Sequence, residues 1–164
     1  AHAAQAGGGR RHARTMTPIR LAVEDDIPQL CGLLAELFAQ EAEFSPDTAV
    51  QARGLRSIIA SPDTGSILVA GEPGRVIGMV SLLYLTSTAL GSRVALLEDM
   101  VVAASHRGAG HGDRLLDAAI DHARATGCRR ITLLTDGGNA AAQRFYTRHG
   151  FARSGMLPMR LALG

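Results

Sequence analysis

The 164-residue chain has no tryptophan and no lysine. With aromatics at 4%, its core has to be built from Leu, Val, Ile, Ala and Met. Broad aromatic platforms for stacking single-stranded bases are missing, which counts against an RNA-binding module. The absence of lysine excludes a P-loop, whose GxxxxGK sequence needs that side chain. Cysteine is scarce. Cys31 and Cys128 have neither CxxC nor Cys/His metal spacing and fall in or beside apolar helical stretches. That pattern suits free thiols in a reducing cytoplasm better than a disulfide. No apolar run reaches the length of a membrane-spanning helix, and no apolar core follows the early arginines as a secretory signal requires. A cytoplasmic protein with no membrane partner and no metal is expected.

The sequence pI near 8.9 suggests a basic surface, but Arg10, Arg11 and Arg14 lie in an opening stretch that holds no acid. The rest of the chain carries 14 basic against 15 acidic residues, so the basicity belongs to a tail and not to a nucleic-acid-binding face. Residues 1–15, with three successive glycines and almost no large apolar side chains, read as a disordered leader or a remnant of cloning. A basic arm touching an acidic partner is the alternative, and Met16 is a candidate natural start. Residues 16–164, in a chain that is 46% hydrophobic, suffice for a single domain.

Periodicity predicts a strand over Ile19–Val23, then a helix with apolar positions Ile27, Leu30, Leu33, Leu34, Leu37 and Phe38. Ser45-Pro46-Asp47 stops it and starts a second helix through Ala60. Three strands follow, over Ser66–Ala70, Arg75–Leu85 and Arg93–Val102, separated by glycine-containing turns in the manner of an antiparallel meander. An amphipathic helix over Gly112–Thr126, a strand over Arg130–Thr135, a helix over Asn139–His149 and a short closing strand over Leu157–Leu163 complete the order.

The most informative segment runs from Val101 to Gly112, where a strand enters a turn dense in glycine and passes directly into a helix. Backbone N–H groups at a helix start point outward unpaired, so such a turn holds phosphate oxygens without lysine, and Gly108, Gly110 and Gly112 permit close approach. A dinucleotide-binding GxGxxG does not fit, because the glycine spacing differs and the loop follows three consecutive strands.

Together with Arg107, the stretch Arg107-Gly108-Ala109-Gly110-His111-Gly112 resembles the Q/R-x-x-G-x-G/A signature of the GCN5-related N-acetyltransferases (GNAT). Residues Asn139 to Phe151 resemble the same family's N-x-x-A-x-x-F/L-Y-x-x-x-G-F pattern, with Asn139, Ala142, Tyr146, Gly150 and Phe151 on its marked positions. The resemblance implies an α/β fold of α+β type: a mixed, mostly antiparallel central sheet flanked by helices, whose fourth and fifth strands splay apart to form an acetyl-CoA slot. It implies that Met100, Val101 and Val102 offer backbone groups to the thioester and pantetheine. Arg107, Gly108, Ala109, Gly110, His111 and Gly112 then cradle the pyrophosphate, and Asn139 and Ala142 lie near the pantetheine arm. Similar proteins often form homodimers through their C-terminal strands.

Aminolysis of a thioester needs an uncharged amine, a polarised carbonyl and a proton for the departing sulfur. Tyr146 matches the family tyrosine that protonates the thiolate, and a phenol is a reasonable donor in a desolvated slot. Glu98 and Asp99 interrupt the apolar run Val94–Val102, a costly placement unless the carboxylates are paired or functional. Family members acting on polyamines and amino sugars carry a similar pair, in which Glu98 looks like the base, with Asp99 as the alternative. Adjacent strand residues face opposite sides unless a bulge intervenes. Glu36, Glu41 and Glu43 on the first helix, with that pair, suggest a cationic amine as small-molecule partner, although a protein N-terminus also fits. A non-catalytic CoA-binding sensor with the same fold is the competing reading; retention of Tyr146 and the acidic pair disfavours it. His106, His111 and His149 read more simply as loop and helix-end residues.

Overall fold

A computed structural model describes residues 16–39 and 47–164. The leader expected over 1–15, and Glu41 and Glu43, lie outside the described residues. Strand β1 (Ile19–Leu21) leads through a short 3-10 turn to helices α1 (Ile27–Phe38) and α2 (Thr48–Ala60). The meander β2 (Gly65–Glu72), β3 (Arg75–Ser87) and β4 (Ser92–Val102) follows, then α3 (His111–Ala125), β5 (Ile131–Leu133) and α4 (Ala140–Arg148).

The helix starts obey local chemistry. Pro28 occupies the first turn of α1, where its missing N–H costs nothing. Asp47 caps α2 by accepting from the N–H groups of Ala49 and Val50 at 3.0 and 3.1 Å.

The five strands form one open sheet in chain order, antiparallel throughout except that β4 and β5 run parallel. Alternation along β2 divides the core: Leu68 and Ala70 join Leu115, Leu116, Ala119 and Ala123 of α3 on one face, and Ile67 and Val69 join Leu30, Leu33, Leu34 and Leu55 of α1 and α2 on the other. Leu30, Met79, Leu82, Leu115 and Leu116 are wholly buried. Each contributes about 1.5–3 kcal/mol relative to exposure. The mixed, mostly antiparallel sheet between helices is the architecture expected. Among the described residues no helix is long and apolar enough to cross a membrane.

Two departures bear on function. On β3 Val80 pairs with Met100 and Leu82 with Leu97, so Ser81 faces two residues of β4, Glu98 and Asp99. That is a bulge, with one extra residue on β4. The closing strand expected over Leu157–Leu163 is not formed: the chain beyond Phe151 has neither helix nor strand. Met156, Leu157, Met159, Leu161 and Leu163 are 83–97% exposed. An alternating sequence becomes a strand only where an edge offers hydrogen bonds and a core accepts one face. Here β5 is only three residues long, and Pro158 has no N–H to give.

Candidate active site

Strand β4 pairs with β5 only over Ala95–Leu97 against Ile131–Leu133. Beyond Leu97 it continues to Val102 beside β3 alone. Its β5-side edge over Glu98–Val102 is therefore open, which is the local form of the splay expected between the fourth and fifth strands. Val101 is buried in the α1–α2 layer, and Met100 packs against the α3 layer.

From β4 the chain makes a 3-10 turn at Ala104–His106 and then the glycine loop. Gly108 and Gly110 both have φ +79°, a left-handed conformation that favours glycine. Gly110 is the N-cap residue of α3, whose first internal bond runs from Arg114 N–H to the Gly110 carbonyl at 3.2 Å. The N–H groups of Gly112 and Asp113 precede that bond and take no acceptor within the helix, the local condition under which a helix start holds an anion. Arg107, exposed at the loop entry, donates from Nε to the Val102 carbonyl at 2.9 Å. The rings of His106 and His111 lie 6.4 Å apart, edge to face, beside the loop.

At the bulge, Asp99 is half-buried and hydrogen-bonded to Ser81, whereas Glu98 is exposed and has no ion-pair partner among the described residues. The desolvation of Glu98 expected from its place in an apolar run is absent in the free protein, because the bulge lifts it out of the regular alternation. Side chains on both sides of it show this. Leu97 and Met100 belong to the α3 layer, while Asp99 bonds Ser81 and Val101 lies in the α1–α2 layer.

Tyr146 sits on α4, half-buried against the α3 layer. The rings of Phe145 and Phe151 flank it edge-on at 5.2 and 5.7 Å. Burial pushes its phenol above the ordinary value of 10.0. Helix α4 is fastened to the start of α3 by Arg148 to Asp113 at 2.8 Å and His149 to Asp113 at 3.3 Å, which brings the tyrosine helix to the glycine loop. A Cβ on Gly112 would sit 3.7 Å from the Phe145 ring. Asn139 caps α4, its Oδ1 accepting from Ala142 N–H at 3.0 Å, so both residues have a structural duty beside any contact with a ligand.

A cleft of about 1060 Å³ does not coincide with this loop. It lies along β5, the second half of α3 and the end of α4, and includes Met156, Leu157 and Pro158 of the unpaired tail; of the expected site residues it contains Tyr146 alone. The open edge of β4 and the loop instead combine a helix N-terminus with the Arg107 guanidinium, features that suit an anionic ligand.

Sequence reading missed Ser81 and assigned Glu36 a different place. Ser81 fixes the bulge, and the one signal for it was a hydroxyl inside the apolar run Val76–Leu83. Glu36, expected on the acceptor wall, instead accepts from Ala104 N–H at 3.0 Å beside the loop.

Residues 29–151 match the family model described as "Acetyltransferase (GNAT) family". The chain is 36% identical over 85 residues to the uncharacterized N-acetyltransferase YhfO of Bacillus subtilis (strain 168), covering 52% of this chain and 57% of that protein. It thus spans little more than half the length of that relative. It is 30% identical over 139 residues to glucosamine 6-phosphate N-acetyltransferase 1 of Oryza sativa subsp. japonica, covering 79% and 78% of the two chains. Among solved structures, an integron cassette protein from the mobile metagenome of Cole Harbour Salt Marsh superposes with a TM-score of 0.77 at 27% identity, over 89% of this chain and 90% of the other.

Proposed function

The chain belongs to the GNAT family of acetyltransferases, and from that premise we propose that it moves the acetyl group of acetyl-CoA onto a primary amine by direct transfer in a ternary complex. One observation carries this reading: β4 leaves β5 after Leu97 and delivers the chain, through left-handed Gly108 and Gly110, to the N-terminus of α3. An extended ligand with an anionic end matches that sequence of features, with Met100–Val102 along its middle and Arg107–Gly112 around its pyrophosphate.

Acetyl-CoA supplies the activated thioester. Glu98, at the bulge on the open side of β4, accepts the proton of the incoming ammonium directly or through water. Tyr146 stays protonated because burial disfavours its phenolate, so it can donate to the departing thiolate. Asn139 has an amide nitrogen left to offer the pantetheine arm once its oxygen caps α4.

A small cationic amine is the favoured acceptor. The supply of acids is smaller than the sequence suggested, because Glu36 is turned to the loop, which leaves Glu98 and Asp99 as the carboxylates at the bulge. Amino sugars are the first class to test, since the rice relative is named for one; protein N-termini are the second. The test is thiol release from acetyl-CoA across a panel of amines, preceded by a thermal shift with CoA alone. Turnover on one amine class supports the enzyme, a shift with no turnover on any amine favours a CoA sensor, and no shift removes the cradle.

A further inference from the structure

We propose that Glu36 of α1 is a positioning residue for cofactor binding; this rests on reading the glycine loop as the pyrophosphate cradle. Helix α1 packs on the sheet face opposite α3, yet Glu36 reaches across 68 residues of sequence to accept the N–H of Ala104 at 3.0 Å. Ala104 is the first residue of the 3-10 turn that feeds the loop. The same carboxylate lies 3.9 Å from the Arg107 guanidinium, and Arg107 in turn holds the Val102 carbonyl at the end of β4. Val102, Ala104, Arg107 and Glu36 therefore close a ring around the loop entry.

Two effects of the carboxylate oppose each other. Its charge near Arg107 disfavours an arriving pyrophosphate, while its bond to Ala104 orders the turn before the ligand arrives. Both members of the ion pair are close to half exposed, at 48% and 43%, and stand 3.9 Å apart, so solvent and salt screen the charge effect. The bond to the amide is of ordinary length with a charged acceptor, and it orders the entry to a loop whose glycines give it large conformational freedom. Preordering wins, and cofactor affinity depends on the bond more than on the charge.

Calorimetric titration of CoA into the full chain and three variants tests this. Glu36→Gln keeps an oxygen for Ala104 and is expected to bind CoA within about threefold of wild type. Glu36→Ala is expected to bind about tenfold more weakly, the loss of one charge-assisted hydrogen bond, with kcat at saturating acetyl-CoA within about twofold. Ala104→Pro removes the donor itself, at a first-turn position preceded by Ala103 at φ −50° and ψ 137°, which suits a residue before proline. It should match Glu36→Ala, and the double variant should be no weaker than either alone. Equal or tighter CoA binding by Glu36→Ala and Ala104→Pro, or a loss in kcat instead of KM, overturns the proposal. Wild-type protein that does not bind CoA overturns the cradle reading as well, so the two failures are distinct.

Discussion

Ser81 and Asp99 are joined twice across β3 and β4: the Ser81 hydroxyl donates to Asp99 Oδ2 at 3.1 Å and accepts the Asp99 N–H at 3.0 Å. Ser81 is 1% exposed, so this pair is anchored on its buried side at the bulge and separates the roles of the two neighbouring acids. Asp99 holds the strand in its irregular register; Glu98 is left facing solvent.

Glu98→Gln should accordingly lower kcat at least tenfold with little change in the KM for acetyl-CoA. Ser81→Ala should act first on stability, by about 1–2 kcal/mol, because it removes two part-buried hydrogen bonds, one to the Asp99 carboxylate and one from its N–H. Steady-state kinetics and urea unfolding separate the two. Full activity in Glu98→Gln together with an inactive, well-folded Asp99→Asn would exchange the roles.

Tyr146→Phe should reduce kcat about a hundredfold and leave CoA affinity within about twofold. Burial raises the phenol in the folded state, so its contribution to stability is complete below the unfolded value near pH 10 and is lost as pH rises above it. Alkaline unfolding of wild type and Tyr146→Phe should therefore diverge above about pH 10, with the variant less sensitive.

Asp26, 1% exposed, takes a bidentate bond from Arg20 at 2.7 and 2.8 Å and a third from Val23 N–H at 2.9 Å. The Arg20 bond, more than any other influence, holds its carboxyl below 3.8. The lowered value gives stability that is present above about pH 4 and is lost as pH falls through the folded value. Asp26→Asn should cost about 3 kcal/mol at pH 7 by leaving Arg20 without its partner, and progressively less on acidification. A pH-independent difference would contradict this.

Two glycine substitutions should behave differently. Gly71 has φ +134°, and a Cβ there would lie 2.1 Å from the Arg75 carbonyl oxygen, so Gly71→Ala should destabilise by about 3 kcal/mol or more. Gly110 has φ +79° with nothing within 4 Å of a Cβ. Gly110→Ala should cost about 1 kcal/mol in stability while weakening CoA binding, which thermal melts and calorimetry report independently.

His122 donates or accepts at Ser66 Oγ, 3.0 Å away, and burial lowers its pKa below 6.5. Stability should fall as pH drops from about 7 toward 5, because the unfolded chain takes up the proton first. An NMR titration midpoint for His122 above 6.5 would contradict the assignment.

Much of this was legible in the sequence because it is periodic or local. The stripe Leu115, Leu116, Ala119, Ala123 on α3 and the alternation of β2 assign each face of the sheet, and the glycine spacing announces the loop. What stayed hidden depends on partners far away in the chain. Alternation over Leu157–Leu163 looks the same whether or not an edge is there to receive it. Nothing around Glu36 signals that its carboxylate meets an amide 68 residues later. The bulge, likewise, is a relation between strands, and Ser81 hints at it only by being polar.

The most direct test of the account is a crystal structure of the chain with CoA. The pyrophosphate is expected within hydrogen-bonding distance of the backbone N–H groups at the start of α3, and the pantetheine along the open edge of β4 at Met100–Val102. CoA seated instead in the cleft beyond β5, against Phe151 and Met156, would contradict it.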